Sequence, residues 1–258
     1  MFHRRTAIAA APLIAGLAVG VAAPASAASG SGTDHRAVMR AASQMKTNST
    51  GAAYGSCSLV VPARVNVQKK YTEVPVSATG GCALHTGFKG IWYVGPSLAV
   101  SADSVLFSNS LRSTWDVTVG TQIGDTLPET PLGTRTWKGW AAIDGNNNSY
   151  TQNVPQTTVK VASYAGLRAS RANGKTTLDA RVVRYATSYY RNIPYAGETG
   201  IIQYRPVGGS AWTGLKNIVA DSQGKSSYTY STSQTREYRV AYNETTYIWG
   251  TDSVVRTS

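Results

Sequence analysis

Tyr238-Arg239-Val240-Ala241-Tyr242 decides the fold. Its large side chains stand at every second position, and a period of two puts them on one side of an extended strand. Aromatic and β-branched types suit a pleated, half-buried surface. The pattern recurs outward from this stretch. Leu178, Ala180 and Val182 alternate, as do Tyr228 and Tyr230. Nearer the N-terminus the same holds for Val65 and Val67, Val74 and Val76, Trp115, Val117 and Val119, and Val159 and Val161. Turn chemistry separates the runs at Gly80-Gly81, Asp144-Gly145, Asn173-Gly174, Gly208-Gly209 and Gln223-Gly224. The expectation is an all-β chain that buries its apolar residues between stacked sheets.

About 200 residues of this kind exceed one seven-stranded sandwich and fit two of roughly 100 residues each. The first sandwich is assigned to residues 55–161 and the second to 162–258, with the boundary after the Val159–Val161 run. Residues 28–54 hold few large apolar side chains. Val38, Ala41, Ala42 and Met45 fall at i, i+3, i+4 and i+7, which predicts a short helix with Thr33 as its cap. So small a stripe buries little, and the segment reads as a flexible arm that orders only against something else.

Residues 1–27 have the three parts of an export signal in order: the positive Met1-Phe2-His3-Arg4-Arg5, the uncharged apolar run Thr6 to Ala23, and the small-residue site Pro24-Ala25-Ser26-Ala27. The other reading of the apolar run is a membrane anchor, which its glycines and Pro24 weaken. No second stretch is long enough to span a bilayer. The expectation is a secreted, extracellular protein without a membrane span in the mature chain. In that setting Cys57 and Cys82 read as a disulfide, closing a loop worth about 3.5 kcal/mol in the chain-entropy account. A metal site has little support, since beyond the signal only His35 and His85 remain, at no ligand-like spacing.

Without Arg4 and Arg5 the chain keeps 23 basic residues against 13 acids, a net charge of +10. Residues 162–258 carry +6 of it, with 12 basic and six acidic residues, and also hold 11 of the 15 tyrosines. Such a balance biases encounters toward anionic partners.

In the second sandwich, Leu178 to Val182, Ile202-Gln203-Tyr204-Arg205, Ala211-Trp212 with Leu215, Asp221-Ser222-Gln223-Gly224, Tyr238-Arg239-Val240 and Ile248-Trp249-Gly250 form a recognisable series. Together they resemble the C-terminal immunoglobulin-like domain of secreted actinobacterial proteins. The resemblance implies a β-sandwich used as an accessory or repeat module, and its motifs mark turns and core strands more than function. The first sandwich is similar only loosely. Some related proteins carry a calcium-binding label, for which Asp144-Gly145-Asn146-Asn147-Asn148 is the best loop. Set on an EF-hand loop, it has Ser149 in place of the sixth-position glycine and Pro155 in place of the closing glutamate, so a plain hairpin loop is the better reading.

Catalytic motifs are lacking. Gly208-Gly209-Ser210-Ala211-Trp212 has tryptophan where a nucleophile elbow needs its last glycine, and the acids are scattered singly. No helix-turn-helix, zinc or ribonucleoprotein motif points to nucleic acid. Tyr185 to Tyr195 lacks clean alternation and reads as one loop, where tyrosines offer stiff amphipathic contact surfaces and arginines add charge-assisted donors. The candidate binding residues are Arg184, Tyr189, Tyr190, Arg191 and Tyr195, with Trp212 beside the Gly208-Gly209 turn. For the tyrosines, packing under the loop is an equally open reading. The expectation is therefore a non-catalytic, cofactor-free secreted binding or accessory protein, contacting a cell-surface or wall polymer, a glycan or another extracellular macromolecule. The alternatives are a secreted glycan or wall-polymer hydrolase with an ancillary sandwich, and a calcium-binding module.

Overall fold

The computed structural model describes residues 35–46, 53–120 and 130–258. The expected export signal and the Thr33 cap lie outside them. The helix read from the apolar stripe is α1 (His35–Lys46). Ten strands follow in the first half: β1 (Gly55–Val60), β2 (Arg64–Val67), β3 (Tyr71–Gly80), β4 (Lys89–Val94), β5 (Asp103–Ser108), β6 (Arg112–Thr118), β7 (Gly133–Thr136), β8 (Lys138–Ile143), β9 (Tyr150–Gln152) and β10 (Gln156–Val161).

One layer of the first sandwich runs β6-β3-β1-β9, with β1 and β9 parallel. The facing layer is made of β5-β4-β8 and β2-β10-β7, with β2 and β10 parallel. Only Trp137 separates β7 from β8, so a single chain run crosses both parts of that layer. The alternating residues meet between the layers: Val65, Val67, Val74, Val76, Trp115, Val117, Val159 and Val161 all belong to one buried core. Trp115 and Trp137 pack edge to face there at 5.0 Å, as do Trp92 and Phe107 at 5.7 Å. Such pairs add to simple area burial. The Cys57–Cys82 disulfide forms, with its Cα atoms 5.3 Å apart, and both cysteines are fully buried.

β4 is buried on both faces. Trp92 and Val94 enter the core, while Ile91 and Tyr93 lie beneath Val38, Ala42 and Met45 of α1. The helix thus orders against the chain's own sheet. That sheet also takes Trp140, edge to face with Tyr93 at 6.4 Å. Trp137 and Trp140 point to opposite faces, as regular strand geometry requires, and both are sheltered.

The second half comprises β11 (Ser163–Ala172), β12 (Lys175–Ala186), β13 (Arg191–Pro194), β14 (Thr199–Pro206), β15 (Thr213–Val219), β16 (Lys225–Ser231), β17 (Arg236–Tyr242), β18 (Thr251–Asp252) and β19 (Arg256–Thr257). One layer is β11-β12, with β13 and β16 along the two halves of β12. The other is β15-β14-β17, with β18 and β19 along β17. That strand order is the immunoglobulin-like sandwich. Asn173 and Gly174 link β11 to β12 with φ of 49° and 69°, the left-handed pair that a two-residue hairpin turn needs. Leu178, Ala180, Val182, Ile202, Tyr238, Val240 and Tyr242 form the second core.

Almost no linker separates the halves, since β10 ends at Val161 and β11 begins at Ser163. Tyr185, on β12, is buried in the first core, and Ile248 packs on that same core. The main chain of Val161 exchanges hydrogen bonds with Tyr247 and Trp249. The two cores belong to one compact unit.

Candidate functional site

The run from Tyr185 to Tyr195 is not one loop. β12 continues through Ala186 and β13 starts at Arg191, which leaves a tight turn between them. Alternation fails here because Tyr185 turns away from its own core into the neighbouring one. The candidate residues consequently separate. Tyr190, at φ 51°, donates its hydroxyl to the Gly120 carbonyl and lies under the Lys70 ammonium at 5.0 Å. Tyr195 packs on the second core with the Arg184 guanidinium 5.7 Å from its ring. Burial and a hydrogen bond to Glu198 push its phenol up to about 12. Tyr189 is 64% exposed, with Arg191 5.9 Å from its ring. Of the run, Tyr189 and Arg191 are the pair presented to solvent.

Trp212 lies elsewhere, on the outer face of β14 and β17. Arg205 sits 4.4 Å and Arg239 4.6 Å from its ring centre. Both guanidiniums are also neutralised, Arg205 by Glu237 at 2.6 Å and Arg239 by Asp252 at 2.6 Å. Arg239 donates in addition to Gln203 at 2.7 Å. This ladder ties the β14–β15 hairpin to β17 and β18 and meets its own charge requirements.

The opposite outer face differs. Leu178, Ala180 and Val182 point inward, so the odd-numbered residues of β12 point out. Register then sets the rows across the three strands. Gly166, Arg181 and Lys225 form one row, Arg168, Asp179 and Ser227 the next, and Ser170, Thr177 and Thr229 a third. Tyr164, Val183 and Pro194 close the end nearest the first half. Asp179 accepts the Ser227 hydroxyl at 2.7 Å. Arg168, Arg181 and Lys225 are exposed, and among the described residues none of them closes a salt bridge, although Asp179 stands opposite Arg168 and the Asp221 carboxylate accepts the Lys225 amide at 2.8 Å and feels its charge. Sequence reading missed this row. Its available signal was a glycine at an outward position of an alternating run, two residues before Arg168.

The Asp144 loop serves itself. The carboxylate, 2% exposed, accepts from the Asn146 and Asn148 amides at 2.8 and 3.0 Å, from the Asn148 side chain at 3.0 Å and from the Tyr150 hydroxyl at 3.0 Å. Burial raises its pKa, but these donors outweigh burial and hold it below the ordinary carboxylate range. Among the described residues no group of three or more His, Cys, Asp or Glu is placed to hold a metal. His85 lies 3.9 Å from Asp144, and its ring neighbours are Tyr54 and Tyr150. Glu73 stands opposite Asp116 on β3 and β6, two outward-facing carboxylates on adjacent strands.

Strand order and core define the class: an all-β protein with immunoglobulin-like sandwich architecture behind a short helix. No family model matches the chain, and no curated protein matches it. Solved structures with some similarity include titin domains A168–A170 (10% identity, 78% of this chain, TM-score 0.27) and the D00-D0 domain of intimin (14% identity, 78% of this chain and 98% of that one, TM-score 0.26). The human OSCAR ligand-binding domain is another, at 10% identity over 80% of this chain and 100% of that one, with a TM-score of 0.28. The chain spans 65% of the titin fragment's length. TM-scores this low decide nothing, and the fold class rests on the strand order.

Proposed function

We propose that this is a secreted, non-catalytic binding protein whose second sandwich engages an anionic polymer or glycan of a cell surface or wall. The observation that carries the reading is the contrast between the two outer faces of that sandwich. Arg205 and Arg239 are neutralised by Glu237 and Asp252, whereas among the described residues Arg168, Arg181 and Lys225 face water outside any salt bridge, with Asp179 opposite Arg168 and Asp221 near Lys225 as the acids of that face. Cations held in no salt bridge on one flat face attract an extended anion. Tyr189 and Arg191 offer a further contact at the turn between β12 and β13. The disulfide suits an oxidising compartment. The His85–Asp144 contact is flanked by the rings of Tyr54 and Tyr150, and the Tyr150 hydroxyl is committed to Asp144.

The test is retention of the purified mature protein on beads carrying polygalacturonate, dextran sulfate or neutral dextran, across a salt series. Retention on an acidic polymer is expected to persist near the physiological ionic strength of about 0.15 M and to be absent on neutral dextran. Failure to bind any acidic polymer at low salt overturns the reading. Binding that is equal on every anionic resin and lost well below that ionic strength reduces it to bulk charge, and overturns it too.

A further inference from the structure

Strand-interior glycine sacrifices chain entropy and side-chain packing, and it persists where backbone conformation or a close neighbour demands it. Gly166 meets neither demand. Its φ lies outside the left-handed range, and a Cβ built on it would meet nothing within 4 Å. Every other glycine with described surroundings has either a left-handed φ or a neighbour within that distance. The β12 residue opposite Gly166 is Arg181, and Lys225 stands beyond it on β16. Along its own strand the outward neighbours are Tyr164 and Arg168.

We infer that Gly166 is the floor of a slot that receives one residue of an acidic glycan, walled by Tyr164, Arg168 and Arg181, with Lys225 behind Arg181. This rests on the binding reading above and fixes both its place and its ligand class. Tyr164 and Arg168 are four residues apart on an extended strand, about 13 Å, and the missing side chain between them leaves a gap with a backbone floor. Tyr164 is 39% exposed and offers a ring face for a sugar. Arg181 and Lys225, on neighbouring strands, meet the acid group. A planar guanidinium suits a carboxylate or sulfate bidentately, and the ammonium adds a compact charge. Beyond Arg168 the row of Ser170, Thr177 and Thr229 presents hydroxyls, with those of Thr177 and Thr229 2.9 Å apart, which suits a chain of sugar hydroxyls. A polypeptide polyanion would match the cations but not the hydroxyl row.

The deciding variant is Gly166→Val in the full mature chain, compared with wild type by thermal unfolding and by retention on polygalacturonate and dextran sulfate. Valine favours strands and its Cβ meets no neighbour within 4 Å here, so the melting midpoint is expected to hold or rise. Filling the slot is expected to weaken binding at least tenfold on whichever polymer the wild type prefers, which also tells carboxylate from sulfate recognition. A second variant, Arg181→Gln with Lys225→Gln, is expected to weaken binding to both polymers. A stable Gly166→Val protein that binds as wild type does overturns the slot while the proposed function stands. A lowered midpoint overturns it by making the glycine structural. Equal or tighter wild-type binding to poly-glutamate or single-stranded DNA overturns the glycan class. Wild type that binds none of these polymers overturns the proposed function itself.

Discussion

Trp249 donates its indole N–H to the carbonyl of Val65, 3.0 Å away and 184 residues earlier in the chain. The Arg64 guanidinium lies 3.8 Å from the same ring, and the Lys160 ammonium 4.9 Å. Lys160 is only 8% exposed and is held by Glu244 at 3.1 Å and the Thr245 carbonyl at 2.6 Å. A loop of the second sandwich is therefore seated on the first by one buried indole and a partnered buried cation. Truncating a buried tryptophan typically costs about 3–5 kcal/mol. Trp249→Ala is expected to split one calorimetric transition into two, as each core melts alone. Persistence of a single transition at the wild-type midpoint would show that the seam does not couple the halves.

Asp103 is buried on β5 and accepts from Arg135 at 2.7 Å, the Trp115 indole at 3.0 Å and the Thr130 hydroxyl at 2.9 Å. Asp103→Ala leaves the Arg135 charge buried without its partner, which costs about 3–5 kcal/mol. The double variant Asp103→Leu with Arg135→Met removes both charges and should recover most of that loss. Urea midpoints measure both. A double variant no better than the single one would mean that the carboxylate's hydrogen bonds, not the stranded charge, dominate.

How far these features could be read in advance depended on locality. A half-buried strand writes its facing into its own residues, so Tyr238, Val240 and Tyr242 announced the second core. β4 writes nothing of the kind, because α1 covers its second face and buries Ile91 and Tyr93 as fully as a core would. Ile248-Trp249-Gly250 reads as the closing motif of the second sandwich, yet its indole bonds to the first. The Gly166–Arg181–Lys225 row is a product of register between three strands, and register between distant strands is set by packing that no single segment encodes. Trp212 was visible as an aromatic beside a turn. The two arginines that cover it come from strands β14 and β17.

Glu73 and Asp116 are directly opposed on β3 and β6, where like charges weaken a sheet. Burial, then the Glu73 charge, raises the Asp116 carboxyl above its ordinary value. A raised folded-state value means that the protonated form is favoured in the fold. Its stabilising share is present below the ordinary pKa and is lost as pH rises through the raised one. Asp116→Asn or Glu73→Gln should therefore stabilise the protein at pH 7 by roughly 0.2–1 kcal/mol, with the gain vanishing in acid. Midpoints measured at pH 3 and pH 7 check this, and a gain of equal size at both would exclude charge as the cause.

Three tyrosines are shifted furthest upward, beside smaller upward shifts at Tyr185 and Tyr242. Burial comes first for each, with a hydrogen bond to Asp144 for Tyr150, to Glu198 for Tyr195 and to Tyr230 for Tyr238, and each phenol is pushed up to about 12. An unfolded tyrosine ionises near pH 10. The fold thus holds these protons more tightly, and their contribution is complete below about pH 10 and is lost as pH climbs toward 12. Phenolate absorbance of the native protein should show a late fraction that appears as the fold is lost. Tyr238→Phe removes one late proton and the 2.7 Å bond to Tyr230, at a cost of about 1 kcal/mol near neutrality. Its stability should then fall less steeply between pH 10 and 12 than that of wild type. Parallel decline of the two proteins across that interval would show that the Tyr238 proton is not what the fold protects.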